Sequence, residues 1–372
     1  MSIKNNSDLY LHVGLHKTGT SSLQKFLCEN SSLLKSHNFF YPTFYKINLN
    51  LLDFSVNDII NKPRNNFIRA HHRLFRALKE KDKFLKKKQA IQSIYEYKKI
   101  CINENLKLIL SAENISGFLK QDYFLKKNNK EDFLSTMRLY FNQFNIIPII
   151  SFRNHYSYFL SFYSEKTKNN WGKSSMSKTF AQYLKEQTLR LPYFYSNIYQ
   201  LLELLSTEGK IITLTFEESI KFNLISYFLK KIKCNYKKQI NNIFIREGFS
   251  MIALELKRYI SNRIKTKKQN QAVSKFLISE KYKELEKTFL SKYLHYNFNS
   301  NIDFILFLQN DTFIESEINK AFNSDLKKLK IKVDINLPEY SYQYKKYFKN
   351  KNFNNSINSF FEDIYENYLR NL

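Results

Sequence analysis

Four apolar runs punctuate the chain near residues 9–14, 106–111, 146–152 and 210–215, each short enough for a strand. NIIPIISF is apolar at successive positions instead of alternating, the pattern of a parallel strand buried on both faces. Between them the pattern becomes helical, at 70–80 (AHHRLFRALKE), at 90–103 and again from 246 onward in REGFSMIALELKRYISN. This alternation predicts an α/β fold, a parallel sheet flanked by helices on both faces, with helical insertions and a helical C-terminal extension. The main domain is expected over 1–325, with insertions at about 36–105 and 165–195, and the extension over 326–372. Long insertions near strand ends often carry substrate contacts, and Lys166, Lys168, Trp171 and Tyr193 in the second are candidates for an acceptor groove. RIKTKKQNQ (263–271) reads as an exposed connection, and YSYQYKKYFKNKNFNN shows no period before a final helix expected at 355–371. No internal repeat is visible.

Residues 9–24, LYLHVGLHKTGTSSLQ, run from the first strand through a loop into a helical pattern, and this is where the sequence shows its chemistry. Gly14 and Gly19 let the backbone turn tightly and approach a ligand. The first turn of the following helix offers unpaired N–H groups, and Lys17 adds a full positive charge. Thr18, Thr20, Ser21 and Ser22 add hydroxyl donors, and His16 lies within reach of the same place. The combination predicts a phosphate- or sulfate-binding loop. A Walker A loop reads G-x-x-x-x-G-K-[ST]. Gly14 and Gly19 keep its spacing, but Thr20 stands where the lysine belongs and the lysine has moved to Lys17.

Lys17-Thr18-Gly19-Thr20-Ser21-Ser22 resembles the 5′-phosphosulfate loop of sulfotransferases that use 3′-phosphoadenosine 5′-phosphosulfate (PAPS), a loop that in that family needs no metal. Such a donor also carries a 3′-phosphate. Arg153, at the end of NIIPIISF, and Ser161, eight residues on in a helical stretch, match the family's 3′-phosphate motif. Eight residues amount to about two helical turns plus roughly 80°, so the pairing of Arg153 with Ser161 is implied by the resemblance and only permitted by helix pitch. Ser157 is a rival for the serine. AHHRLFRALKE, LKLILSAEN, GKIITLTFEES and REGFSMIALELKRYISN follow in the order of bacterial members acting on carbohydrates, so that the resemblance spans about residues 8–325. One departure stands: the R-K-G-x-x-G stretch of the cytosolic animal enzymes is only echoed by Arg246-Glu247-Gly248.

Sulfuryl transfer needs a base, because an acceptor hydroxyl does not ionise near neutral pH. Glu113 is the candidate: it follows LKLILS, and ligands of open α/β sheets sit beyond the carboxyl ends of the strands. The residues alone equally allow Ser111, Glu113 and Asn114 to start the next helix. His71 and His72 are alternative bases, at most one of which would face a site from a helix. The resemblance implies PAPS as co-substrate, no metal, and in-line transfer to a hydroxyl or amine of a glycan or glycolipid, an acidic one being suited to the protein's field.

Composition changes this picture in two ways. The net charge of +27 attracts anions. Yet abundant Lys, Asn, Ile, Tyr and Phe beside only 6 Gly and 5 Pro are the mark of an AT-rich coding sequence, so part of the lysine reflects codon bias. Cys28, Cys101 and Cys234 are far apart, without metal-ligand spacing, and are read as reduced and structural. The polar MSIKNNSDLY leaves no room for a signal peptide, and no run reaches the roughly 18 apolar residues of a transmembrane helix. A cytoplasmic enzyme is therefore expected, peripheral to the inner membrane if its acceptor is lipid-linked. Two other classes stay open: a P-loop kinase or NTPase, lacking G-K-[ST] and a clear strand-end Asp for Mg²⁺, and a non-catalytic binder of anionic polymers. No nucleic-acid motif is present, and nucleic acid is not expected as a partner.

Overall fold

The computed structural model describes residues 7–14, 19–43, 69–79, 84–112, 127–153, 194–236, 249–291 and 351–370, with residues 158, 159, 161, 163–165, 167, 183, 320, 324 and 327. The chain forms two compact units that do not follow chain order: 1–154 with 193–245 and 325–333, and 155–192 with 246–324 and 334–372.

The first unit is an α/β layer structure. Its strands are β1 (Ser7–Gly14), β2 (Phe39–Phe40), β3 (Lys107–Ser111), β4 (Phe144–Phe152) and β5 (Ile212–Thr215). They form one wholly parallel sheet in the order β2-β3-β1-β4-β5. Its helices are α1 (Thr20–Glu29), α2 (Ser31–Ser36), α3 (Arg69–Lys79), α4 (Phe84–Asn103), α5 (Lys127–Phe141), α6 (Phe194–Leu205), α7 (Phe216–Phe222) and α8 (Leu224–Lys231). The connection 36–105 thus carries β2, α3 and α4.

Alternation along β1 sorts the two helical layers. Leu9, Leu11 and Val13 are fully buried on one face, with Leu108 and Leu110 of β3 and Ile146 and Ile150 of β4 sharing that parity. The helices that pack there are α3 to α6. Tyr10 faces the other way and joins Ile109, Ile147, Ile149 and Leu214 in a core closed by Leu23, Phe26 and Leu27 of α1 and Ile225, Phe228 and Leu229 of α8. Phe228 is fully buried, and truncating such a ring costs about 3–5 kcal/mol. Cys28 and Cys234 lie in that same core, all three cysteines are free thiols, and burial pushes Cys28 and Cys101 up to about 12.

The second unit is helical among its described residues: α9 (Met251–Tyr259), a 3₁₀ turn (Ser261–Arg263), α10 (Lys267–Phe276), α11 (Glu280–Ser291) and α12 (Lys351–Ile364), which runs on as a π turn (Tyr365–Leu369). The stretch read as an exposed connection is helical from Lys267. Thr266 and Gln269 form a capping box that starts α10 despite its lysines. The C-terminal helix is held by Glu362, which accepts two bonds from Arg263 (2.8 and 2.6 Å) and one from the Tyr259 hydroxyl (2.6 Å). Those donors pull the Glu362 carboxyl down to about 2. No helix among the described residues is long and apolar enough to cross a membrane.

Candidate functional site

From β1 the chain moves to β2 on one side of the sheet, and from β4 to β5 on the other, so the crevice of this sheet opens between the carboxyl ends of β1 and β4. Gly14, the last residue of β1, pairs with Ser151 of β4, two residues before Arg153. His12 pairs with Ser111, the last residue of β3, and the Ala112 N–H donates to His12 O at 3.1 Å. The three strand ends that precede the Lys17 loop, Glu113 and Arg153 therefore share one rim.

Both glycines of the loop are required by the geometry. A Cβ on Gly14 would lie 2.0 Å from Thr20 Cγ2 and 3.1 Å from His12 Cε1, so the start of α1 packs directly on the end of β1. Gly19 caps α1 at φ +82°, where L side chains are strained, and a Cβ there would meet Leu224 Cδ2 at 2.5 Å. Its carbonyl accepts from the Ser22 and Leu23 N–H groups. Gly19 brings no capping side chain and the first turn holds no acidic residue, so nothing anionic on α1 competes for its N-terminus. Thr20 is buried, whereas Ser21 and Ser22 are half-exposed. His16, Lys17, Thr18 and Glu113 lie outside the described residues, as do Ser157, Lys166, Lys168, Trp171, Tyr193 and Arg246-Glu247-Gly248.

Arg153 is half-exposed at the end of β4, its guanidinium stacked 4.1 Å from the centroid of the Phe216 ring. Phe152 pairs with Thr215, so arginine and ring follow neighbouring strand ends. A guanidinium held by its face keeps its N–H donors in the plane, the geometry that suits a phosphate. Ser161 is a half-exposed helical residue of the second unit, between buried Phe159 and Tyr163, whereas Arg153 belongs to the first.

Beneath the rim the core turns polar. On the α1 side of the sheet the apolar rows end in His12, Ser111 and Ser151, all buried. His12 Nδ1 lies 2.8 Å from Ser111 Oγ and Nε2 lies 3.0 Å from Ser151 Oγ, tying the three central strands together at their ends. Gln24 of α1 donates from Nε2 to the Ser111 carbonyl and hydroxyl (3.1 and 3.2 Å), leaving its buried Oε1 without a donor among the described residues. The Ser111 N–H donates to His71 Nδ1 (3.0 Å), which fixes the tautomer in which Nε2–H donates to the Pro42 carbonyl (2.8 Å). His71 is thus a buried brace between α3 and β3. At the end of β5, Glu218 accepts from the hydroxyls of Thr215 (2.7 Å) and Tyr227, and burial together with this carboxylate raises the Tyr227 phenol.

Burial lowers His12 to about 3 from an ordinary value near 6.5, so the native state keeps it neutral where the unfolded chain takes up a proton. Its contribution is fully present above pH 6.5 and declines as pH falls toward 3, by about 2 kcal/mol between 6.5 and 5. The urea midpoint is therefore expected to fall on acidification over that range, and His12→Gln is expected to remove this part of the fall; a variant whose pH dependence matched the native chain's would exclude His12 as the source.

No group of three or more His, Cys, Asp or Glu side chains among the described residues is arranged to hold a metal. No protein-family model, curated protein or solved structure matches this chain.

Proposed function

We propose that this chain is a PAPS-dependent sulfotransferase acting on a hydroxyl or amine of a carbohydrate or glycolipid, in the cytoplasm. The observation that carries this reading is the register that pairs Gly14 with Ser151, so that the Gly14-to-Gly19 loop and Arg153 leave adjacent strand ends at the crevice of the sheet. Two cationic devices on one rim suit a donor with phosphate at both ends of its adenosine. In this reading the strand, loop and helix of β1 and α1 are P-loop-like. Lys17, the α1 N–H groups and the hydroxyls of Thr18, Thr20, Ser21 and Ser22 hold the 5′-phosphosulfate, with His16 beside them. Arg153 holds the 3′-phosphate, and Ser161 is the partner implied by the resemblance.

Transfer is an in-line displacement at sulfur. The acceptor oxygen forms a new bond to sulfur as the bond from sulfur to the bridging oxygen of adenosine 3′,5′-bisphosphate breaks. Glu113 takes the acceptor's proton, and Lys17 with the helix N–H groups offsets the charge gathering on the leaving phosphate, where a kinase would use Mg²⁺.

A thermal-shift titration separates this reading from its rivals. Adenosine 3′,5′-bisphosphate is expected to stabilise the protein by about 2.7 kcal/mol at a hundred times its Kd, with no need for Mg²⁺, and ADP to do markedly less. Arg153→Ala is expected to erase that preference. Preference for ADP with Mg²⁺ would favour the kinase reading. Indifference to both nucleotides, with steeply salt-dependent binding of polyanions, would favour the binder.

A further inference from the structure

We infer that the outer face of the helical layer formed by α4, α5 and α6 is a docking surface for an anionic lipid bilayer. Seven large apolar side chains are exposed among the described residues, and six belong to this layer: Leu85 (73%), Ile91 (36%), Tyr95 (66%) and Ile102 (52%) on α4, Leu139 (63%) on α5 and Leu204 (51%) on α6. They belong to one packed layer, since α4 packs on α5 and α5 on α6. Exposed apolar side chains scattered singly need no explanation, but six gathered on one layer do.

The arrangement on α4 identifies the occupant. At about 100° per residue, Ile91, Tyr95 and Ile102 fall within about 40° of one another, and Leu85 closes an arc of about 120°. Within that arc lie the exposed Lys88 and Lys99 and no acidic residue. Glu96, the single acidic residue of α4, is half-buried at the margin. Apolar side chains interleaved with lysines on one helix face suit the headgroup boundary of an anionic leaflet. The rings and branched chains enter the acyl edge while the lysines reach the phosphates.

The same charges oppose the other occupants. Two copies of a +27 chain meeting through this face would set lysine against lysine. A nucleic acid or acidic glycan would pair with the cations but leave Ile91, Tyr95 and Ile102 in water. The surface stands independently of the donor reading. It also bears on access to the rim: α4 leads into β3 and so runs against it, placing its N-terminal end at the carboxyl rim. A bilayer along α4 therefore lies beside the loops at which a lipid-anchored acceptor would be presented.

Vesicle flotation tests this directly, using vesicles of phosphatidylcholine alone or with one-third phosphatidylglycerol. The full chain is expected to float with the anionic vesicles, and not with the neutral ones. The triple variant Ile91→Glu, Tyr95→Glu, Ile102→Glu is expected to bind about tenfold more weakly or worse. Lys88→Glu with Lys99→Glu, which keeps every apolar group, is expected to weaken binding as well and to melt like the native chain because both lysines are exposed, whereas the triple variant should stay folded but melt somewhat lower because Ile91 is only 36% exposed. Unchanged flotation of the triple variant would overturn the proposal, leaving net charge as the cause. So would a native dimer by light scattering that the triple variant turns into monomer, which would assign the face to a second copy. Absence of flotation by the native chain would overturn it outright.

Discussion

Lys17→Ala is expected to fold like the native chain and to lose about 100-fold to 1,000-fold in the proposed sulfuryl transfer, the usual cost of removing one preorganised donor from a site of developing charge. The expectation has two parts. First, the elements on either side are held without Lys17: β1 by its ladders to β3 and β4, and α1 by Leu23, Phe26 and Leu27 in the core beneath the sheet. The melting temperature should therefore stay within a degree or two, since those ladders and core contacts are left intact. Second, in the proposed reaction the charge on the departing phosphate grows in the transition state, so the loss should appear chiefly in kcat and less in the KM for the donor. Lys17→Arg restores charge but not the compact ammonium and should recover only part of the rate. The assay offers labelled donor to fractionated extract of the protein's own cells, which also identifies the acceptor. Turnover by Lys17→Ala equal to that of the native chain would remove Lys17 from the mechanism and, with it, the cation assigned to the donor's phosphosulfate.

Much of the sheet is legible in the chain because its central strands β1, β3 and β4 are buried on both faces over most of their length, which makes them predominantly apolar. The stretches near 9–14, 106–111, 146–152 and 210–215 correspond to β1, β3, β4 and β5. β2 is not legible, since Phe39 and Phe40 are too few to show a period and are recruited only by pairing with Lys107 and Leu108. At α10, lysines masked a start signal that Thr266 and Gln269 do carry. The loop glycines announce themselves by type and spacing. The layer beneath them does not. His12, Ser111 and Ser151 each look like one polar residue inside an apolar strand, and only the register between three strands far apart in the chain makes them one cluster. Phe216 is hidden for the same reason: nothing local links it to Arg153, 63 positions earlier, until β4 and β5 pair. Composition and period report on what a segment buries, whereas a site at strand ends is made by the neighbours those strands acquire.

The tightest of those neighbours is the contact of Gly14 with Thr20, and it yields a prediction about stability that needs no substrate. Gly14→Ala is expected to destabilise the chain by about 1–3 kcal/mol, the range for overfilling a close-packed site. The added methyl would sit 2.0 Å from Thr20 Cγ2, a distance no pair of non-bonded carbons tolerates. Thr20 cannot swing away freely, because it is β-branched, buried and in the first turn of α1. Nor can the backbone of β1 retreat, since Gly14 is paired with Ser151 and His12 is tied to Ser111 and Ser151. Thr20→Ser removes the offending methyl and keeps the hydroxyl. On its own it is expected to cost about 1 kcal/mol for the lost methyl, close to the value of one buried carbon. In the double variant the costs should fail to add, with Thr20→Ser recovering most of what Gly14→Ala loses, a coupling of about 1–2 kcal/mol in a urea-denaturation cycle. Additive costs would mean that α1 does not begin against the end of β1. The loop between them would then lose the two fixed ends, Gly14 and Gly19, on which any anion cradle at this rim depends.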